Sequence, residues 1–126
     1  MNTDTTNRRW AIQEKWGKAV TGGKEGFFAV PDVLIKNQAQ IPVTTTEMNV
    51  VLNLLMHWWS ADEMPFPRPA AIARRMGVST RTVERAIKSL ERKELIKRKG
   101  SEKSEDGISI RRFDMGGIVR KLQSLS

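Results

Sequence analysis

Residues 79–93, with the sequence STRTVERAIKSLERK, constrain the fold of this chain more than any other segment. At about 100° per residue of an α-helix, four apolar side chains share one face of this segment: Val83, Ala86, Ile87 and Leu90. Four cations lie within about 60° of arc on the opposite face, a set that we call the basic ridge: Arg81, Arg85, Lys88 and Arg92. The segment therefore predicts a helix that is buried along one face and basic along the other.

A shorter apolar pattern precedes this helix and is separated from it by a glycine. Residues 69–76 place three apolar side chains on one face: Ile72, Ala73 and Met76. Pro69 suits the first position of a helix, and Gly77 can adopt the left-handed conformation that ends one. Val78 is expected to fill the corner, and Ser79 is a favourable N-cap for the longer helix. A short helix, a glycine turn and a capped second helix predict a helix-turn-helix.

The residues that follow are typical of a β-hairpin beside the second helix, a wing. Residues 95–99 predict one strand, residues 100–107 a polar loop, and residues 108–113 a second strand with Ile108 and Ile110 on one face. Five cations of this hairpin can reach phosphates or a minor groove: Lys97, Lys99, Lys103, Arg111 and Arg112. Because the loop tip carries acidic residues, contacts from the strand flanks are expected over insertion of the tip.

Further helical segments are predicted before the helix-turn-helix. Apolar residues at i, i+4, i+7 and i+8 indicate a short amphipathic helix that ends before the glycine pair at 22–23: Ile12, Trp16, Ala19 and Val20. Pro31 can open a brief helix. Thr44 and Glu47 match a capping box, which begins the most apolar helix of the chain, and this helix is predicted to run to about Trp59.

The apolar helix carries one polar stripe with a spacing of four: Asn49, Asn53 and His57. The rest of its circumference is apolar, which predicts burial inside the domain or in a dimer interface. Asp114 can cap a last helix with apolar residues at i, i+4 and i+7: Ile118, Leu122 and Leu125. The predicted fold is α+β and mainly helical, a winged helix-turn-helix with extra helices at both ends. Residues 1–22 are assigned to a polar tail and helix, and residues 23–126 to the winged domain.

Positive charge is concentrated in the second half of the chain. The 22 Lys and Arg residues exceed the 14 Asp and Glu residues by a net +8. Residues 1–67 carry a net −1, whereas residues 68–126 carry a net +9. Such asymmetry indicates a polyanionic partner, although on charge alone a surface that only maintains solubility is an equal alternative.

Several classes of function lack the residues that they need. The chain has no cysteine, which excludes disulfides, thiol catalysis and cysteine-ligated metals. His57 is the single histidine, which gives little basis for a catalytic triad or a histidine metal site. The glycines before Lys24 lack the spacing of a phosphate-binding loop, and the adjacent acids Asp62 and Glu63 are interpreted as solvated. We expect no enzyme, metal, cofactor or small-molecule ligand.

A membrane or secreted location is also not expected. The longest apolar stretch, Val50–Trp59, is well short of the roughly 20 residues that span a bilayer. The first ten residues contain no apolar core of a signal peptide. A cytoplasmic protein associated with the nucleoid is expected.

Residues 72–99 resemble the winged helix-turn-helix of bacterial transcription regulators and of phage or plasmid replication initiators. That motif has an Ile-Ala pair, a Gly-Val-Ser turn, a Thr-Val-x-Arg start of the recognition helix and a Leu-Ile-x-Arg stretch before the wing. This chain supplies Ile72-Ala73, Gly77-Val78-Ser79, Thr82-Val83-x-Arg85 and Leu95-Ile96-x-Arg98. It departs from the motif at Arg68, Glu94 and Phe113, where a small polar cap, a glycine and a tyrosine are usual. The resemblance covers roughly residues 25–123.

The resemblance implies that residues 79–93 enter the major groove of double-stranded DNA, as the basic ridge also suggests. Base contacts are predicted from Thr80, Arg81, Thr82, Arg85 and Ser89. Phosphate contacts are predicted from Arg68, Arg74, Arg75, Lys88, Arg92, Lys97, Lys99, Lys103, Arg111 and Arg112. Ordinary solvation of a helix surface is the alternative for Arg74 and Arg75.

Three functions stay open at this point. A small transcription regulator is favoured, because the chain ends about where the winged domain ends. A replication-initiation or partition factor would use the same DNA-binding domain and recruit partners through another surface. A winged helix that binds protein is the third alternative. A homodimer would suit a palindromic site, with Trp10 and Trp16 or Trp58 and Trp59 in its interface, although these side chains fit an intramolecular core equally well.

Overall fold

The computed structural model describes residues 11–21, 26–103, 107 and 109–126. Its helices are α1 (residues 11–16), α2 (Lys18–Thr21), α3 (Asp32–Lys36), α4 (Thr45–Met56), α5 (Pro69–Met76), α6 (Thr80–Arg92) and α7 (Gly116–Leu125), with a 3-10 turn at Gln38–Gln40. Two strands, β1 (Lys97–Lys103) and β2 (Ser109–Asp114), pair in an antiparallel hairpin. The predicted α+β winged helix-turn-helix with additional helices at both ends is confirmed.

The predicted capping box fixes the start of α4. The Thr44 hydroxyl accepts a hydrogen bond from the Glu47 N–H at 3.1 Å, and a Glu47 carboxylate oxygen accepts one from the Thr44 N–H at 2.8 Å. Three apolar side chains of α4 are almost fully buried: Val50, Val51 and Leu54. Because α4 packs against both α5 and α6, it is the scaffold that holds the helix-turn-helix in place.

The turn between α5 and α6 depends on Gly77. Its φ of +70° lies in the left-handed region that glycine enters without steric cost. Ser79 then caps α6, since its hydroxyl accepts a hydrogen bond from the Thr82 N–H at 3.1 Å. The inner faces of the two helices are buried through Ile72, Ala73, Val83, Ile87 and Leu90. Val78 is 38% exposed, so the prediction that it fills the corner is wrong.

The wing begins later and extends further than its sequence pattern indicates. Leu95 and Ile96 precede β1 and are buried in the core, with 3% of each exposed. The strand β1 then runs on to Lys103, into the segment predicted to be a loop. The Phe113 N–H of β2 donates a hydrogen bond to the Pro65 carbonyl at 2.9 Å, which ties the wing to the segment that leads into α5.

The last helix packs against the turn that joins α6 to β1. The Ile118 N–H donates a hydrogen bond to the Leu95 carbonyl at 2.7 Å. A Cβ at Gly117 would overlap the Glu94 carbonyl oxygen and lie 2.8 Å from the Leu95 carbonyl oxygen, so only glycine fits. The predicted apolar face is confirmed, with Ile118 and Leu122 buried and Leu125 packed against the core: all three belong to one cluster.

Two further helix predictions need correction. The first amphipathic helix is interrupted by Gly17, whose φ of +53° separates α1 from α2. No residue of the segment 11–21 is buried. Helix α4 ends at Met56, before the predicted end, and Trp59 is 77% exposed.

Some predictions fall outside the described residues: those for residues 1–10, 22–25, 104–106 and 108. Among the helices of the described part of the chain, none has the length and apolar character that crossing a membrane requires.

Candidate nucleic-acid interface

The basic ridge lies on the side of α6 that faces away from the core. Arg81, Arg85, Lys88 and Arg92 are all exposed. No carboxylate of the described residues forms an ion pair with any of these four side chains. The described structure thus presents a row of cations on one helix with no acidic partner.

One flank of α6 is attached to the wing through Arg98. A guanidinium nitrogen of Arg98 lies 3.1 Å from a carboxylate oxygen of Glu84 and 3.6 Å from one of Glu91. The backbone N–H of Arg98 also donates a hydrogen bond to a carboxylate oxygen of Glu91, at 3.3 Å. The Arg98 guanidinium lies over the ring of Phe113, 5.9 Å from its centroid. Both acids of α6 are therefore bound by a residue of β1.

The opposite flank of α6 is attached to α4 through Glu47. The Lys93 ammonium lies 2.6 Å from a carboxylate oxygen of Glu47, whose side chain is only 5% exposed. Burial acts to raise the pKa of Glu47, but hydrogen bonds from Lys93, Ser89 and the Thr44 N–H, with the charge of Lys93, lower the pKa to about 2. The carboxylate stays ionised at neutral pH and fixes the orientation of α6 against the scaffold.

The three hydroxyls of α6 that are predicted to contact bases differ in the hydrogen bonds that they make within the protein. Thr80 is exposed beside the start of the helix. The Thr82 hydroxyl lies 2.9 Å from the Ser79 hydroxyl, and Ser89 is half-buried and hydrogen-bonded to Glu47. Thr80 is therefore the predicted base-contacting hydroxyl with the fewest internal contacts.

Four exposed cations line three adjoining grooves beside α6, and we call them the flanking track: Arg74, Arg68, Arg111 and Lys99. The first groove contains Arg74, Arg68 and Thr80. The second, a cavity of about 350 Å³, contains Arg68 and Arg111 and is also lined by Glu84 and Arg98. The third contains Arg111 and Lys99. Cations at the start of α5, on α5 and on the wing are thus brought into one band.

Arg75 lies on a different side of α5, against α4. Its guanidinium donates hydrogen bonds to Asn53 at 3.3 Å and to Nε2 of His57 at 2.9 Å. The polar stripe of α4 therefore meets an arginine. Burial and the charge of Arg75 lower the pKa of His57, so the imidazole is neutral at pH 7 and accepts the hydrogen bond.

The remaining wing cations also differ in their surroundings. Lys97 is exposed, and the Lys99 ammonium lies 4.0 Å from a carboxylate oxygen of Asp114. Arg112 donates a hydrogen bond to the Met64 carbonyl at 3.2 Å and lies over the ring of Phe66, 4.7 Å from its centroid. The side chain of Lys103 lies outside the described residues.

The sequence pattern predicts no role at the site for Arg98 or Lys93, and it does not show that Glu84 and Glu91 are held by one arginine. The Leu-Ile-x-Arg stretch contains Arg98, but nothing in the sequence pairs it with acids of α6. Likewise, the sequence places Lys93 only at the end of the helix. No group of three or more metal-ligating side chains is found among the described residues.

A sequence model of the DnaD N-terminal domain matches residues 30–126 of this chain. Among solved structures, the N-terminal domain of DnaD protein from Geobacillus kaustophilus is similar, with a TM-score of 0.57 and 21% identity. That similarity covers 95% of this chain and 86% of the other. At this identity the similarity shows the shared fold.

A second solved structure, the zinc-responsive MarR family member ZitR of Lactococcus lactis, is more distant. It has 17% identity and a TM-score of 0.46, over 98% of this chain and 71% of the other. Among curated proteins, none matches the chain significantly.

Proposed function

This chain belongs to the DnaD N-terminal domain family, and we propose that it binds double-stranded DNA in a sequence-specific manner. The observation that carries the proposal is the basic ridge, four exposed cations without an acidic partner in the described structure. A surface that only maintained solubility would gain as much from mixed charges. A row of unpaired cations along one helix instead fits the closely spaced phosphates of a duplex.

The dimensions of α6 suit the major groove. Its 13 residues correspond to a rod about 20 Å long, and the major groove of B-DNA admits an α-helix. Arg81 and Arg85 lie in the first half of the ridge, and we assign them to base edges, where an arginine can bind guanine through two hydrogen bonds. Lys88 and Arg92 lie further along and are assigned to phosphates.

The flanking track is assigned to the sugar-phosphate backbone beside the recognised groove. Its four cations belong to α5, to the residue that precedes it and to the wing. They line adjoining grooves next to α6, which is where a backbone strand would run with α6 in the groove. Arg75 and Arg112 are expected to contribute less, because both donate hydrogen bonds within the protein.

Replication initiation is the role that we favour for this DNA binding. The family match is to an N-terminal domain of DnaD, and the sequence of residues 72–99 resembles replication initiators as well as transcription regulators. Transcription regulation is the second candidate, supported by that resemblance alone. We further propose a non-enzymatic protein without metal or cofactor, acting as a homodimer in the cytoplasm at the nucleoid.

The test begins with selection of bound sequences from a random duplex library. Affinities of the Arg85→Ala and Lys99→Ala variants are then measured on the selected duplex and on a random duplex. Loss of a guanine contact at Arg85 should weaken binding to the selected duplex by about five- to 150-fold, with little change on random DNA. Loss of Lys99 should weaken both duplexes alike and reduce the salt slope by about one.

The matched control is Lys36→Ala, which removes an exposed cation from α3, an element that packs against α7. This variant should bind both duplexes as the unmodified chain does. Equal losses on selected and random DNA for Arg85→Ala would contradict the assignment of α6 to base recognition. A chain that binds neither duplex at low salt would overturn the proposed function.

A further inference from the structure

We propose that Arg98 is a positioning residue that sets the DNA affinity of α6 by neutralising two acids beside the basic ridge, an inference that rests on the proposed function. Arg98 belongs to the wing, and its side chain is only 13% exposed. It lines two of the grooves of the flanking track, but little of its surface is left to bind a phosphate. Its guanidinium instead lies against carboxylates of α6.

Arg98 forms ion pairs with both acidic residues of α6. A guanidinium nitrogen lies 3.1 Å from a carboxylate oxygen of Glu84 and 3.6 Å from one of Glu91. The backbone N–H of Arg98 donates a further hydrogen bond to Glu91. Glu84 and Glu91 are seven residues apart and so lie on the same side of the helix, two turns from each other. A single guanidinium, with its planar fork of donors, can serve both carboxylates.

Without Arg98, a cation of α6 itself is within ion-pairing reach of both acids. Lys88 is four residues after Glu84 and three residues before Glu91, and both spacings allow helix ion pairs. Freed carboxylates would then neutralise Lys88 of the basic ridge. They would also add negative charge close to the DNA phosphates, where like charges repel. Arg98 prevents both effects by holding the acids towards the wing.

The test is a comparison of Arg98→Gln in two backgrounds, the unmodified chain and the Glu84→Gln/Glu91→Gln double variant. Equilibrium affinity for the selected duplex is measured at about 0.1 M salt, where charges a few ångströms apart still interact. In the unmodified chain, Arg98→Gln should weaken binding by about five- to tenfold. In the double variant, the same substitution should change affinity by no more than about twofold, because no acids need neutralising.

Equal losses in the two backgrounds would overturn the inference, because a direct phosphate contact by Arg98 predicts that result. No loss in the unmodified chain would also overturn it. If Arg98→Gln lacks a cooperative thermal transition, Arg98→Met, which also removes the charge but retains an apolar side chain to pack near the Phe113 ring, replaces it in both backgrounds under the same criteria. Failure of the unmodified chain to bind any duplex would instead refute the proposed function, so the two failures are distinguishable.

Discussion

The Glu47 carboxylate caps α4 and, through Lys93 and Ser89, also holds α6. It is buried, with 4% of the residue exposed. A buried carboxylate raises the free energy of the folded state unless it is paired and hydrogen-bonded. Here the Lys93 ammonium, the Ser89 hydroxyl and the Thr44 N–H provide those partners. The orientation of the basic ridge therefore depends on a residue that does not contact DNA in the proposed function.

The lowered pKa of Glu47 predicts that the protein loses stability as the pH falls. Because its pKa falls from 4.5 to about 2 on folding, its contribution is fully present above pH 4.5 and is lost as the pH falls towards 2. That contribution is about 3 kcal/mol. The free energy of unfolding in urea should therefore fall more steeply between pH 5 and pH 2 in the unmodified chain than in Glu47→Gln. Glu63→Gln, which removes an exposed acid, is the control and should keep the steep fall.

The contacts of single residues were predictable from sequence only where they are local. The capping box of Thr44 and Glu47 spans three residues, and the basic ridge follows from the period of one helix. The hydrogen bond of Arg75 to His57 joins residues 18 positions apart, and the pair of Glu47 with Lys93 joins residues 46 apart. Such pairs depend on how helices pack, which periodicity does not specify.

At the scale of elements, a helix was predicted well where a buried face and strong caps agree. Helix α6 has both, and its predicted bounds are confirmed by Ser79 and Lys93 as its caps. The prediction of one continuous first helix was wrong because Gly17 adopts a left-handed conformation. No residue of the segment 11–21 is buried, so burial of its apolar face does not favour a continuous helix. The start of β1 was misplaced because Leu95 and Ile96 are buried before the strand begins.

Helix α7 approaches the turn between α6 and β1 so closely that a side chain at residue 117 is not accommodated. Gly117→Ala should lower the free energy of unfolding by about 3 kcal/mol, because its Cβ would overlap the backbone of the turn between α6 and β1. Backbone carbonyls at Glu94 and Leu95 cannot move aside as a flexible side chain can. Urea denaturation followed by circular dichroism measures the change.

The adjacent glycine supplies a matched control. A Cβ at Gly116 would meet the ends of the Arg120 and Asp114 side chains, both at 3.0 Å. Side-chain ends can shift, and alanine gains about 1 kcal/mol over glycine in a helix. Gly116→Ala should therefore change stability by no more than about 1 kcal/mol. If Gly117→Ala also changes stability by no more than about 1 kcal/mol, the close approach at Gly117 does not govern this junction.

At the scale of the whole molecule, the segment 11–21 is an amphipathic element with no buried residue. Its apolar residues recur as in an amphipathic helix, yet none of them is buried, and Trp16 is 56% exposed. Lys15 lies over the Trp16 ring at 5.1 Å, which covers only one face of the indole. The homodimer proposed above would cover this surface, and two winged domains joined in this way could read two half-sites.

Trp16→Ala tests that arrangement in the full chain. Burial of one tryptophan on each side of a dimer is commonly worth 2 kcal/mol or more, so the dissociation constant of the dimer should rise by about thirtyfold or more. Sedimentation equilibrium over a concentration series measures the change. Trp59→Ala removes a tryptophan that is 77% exposed after α4, and it should leave the dissociation constant unchanged. If Trp59→Ala weakens the dimer and Trp16→Ala does not, the interface lies at the end of α4 and the segment 11–21 is outside it.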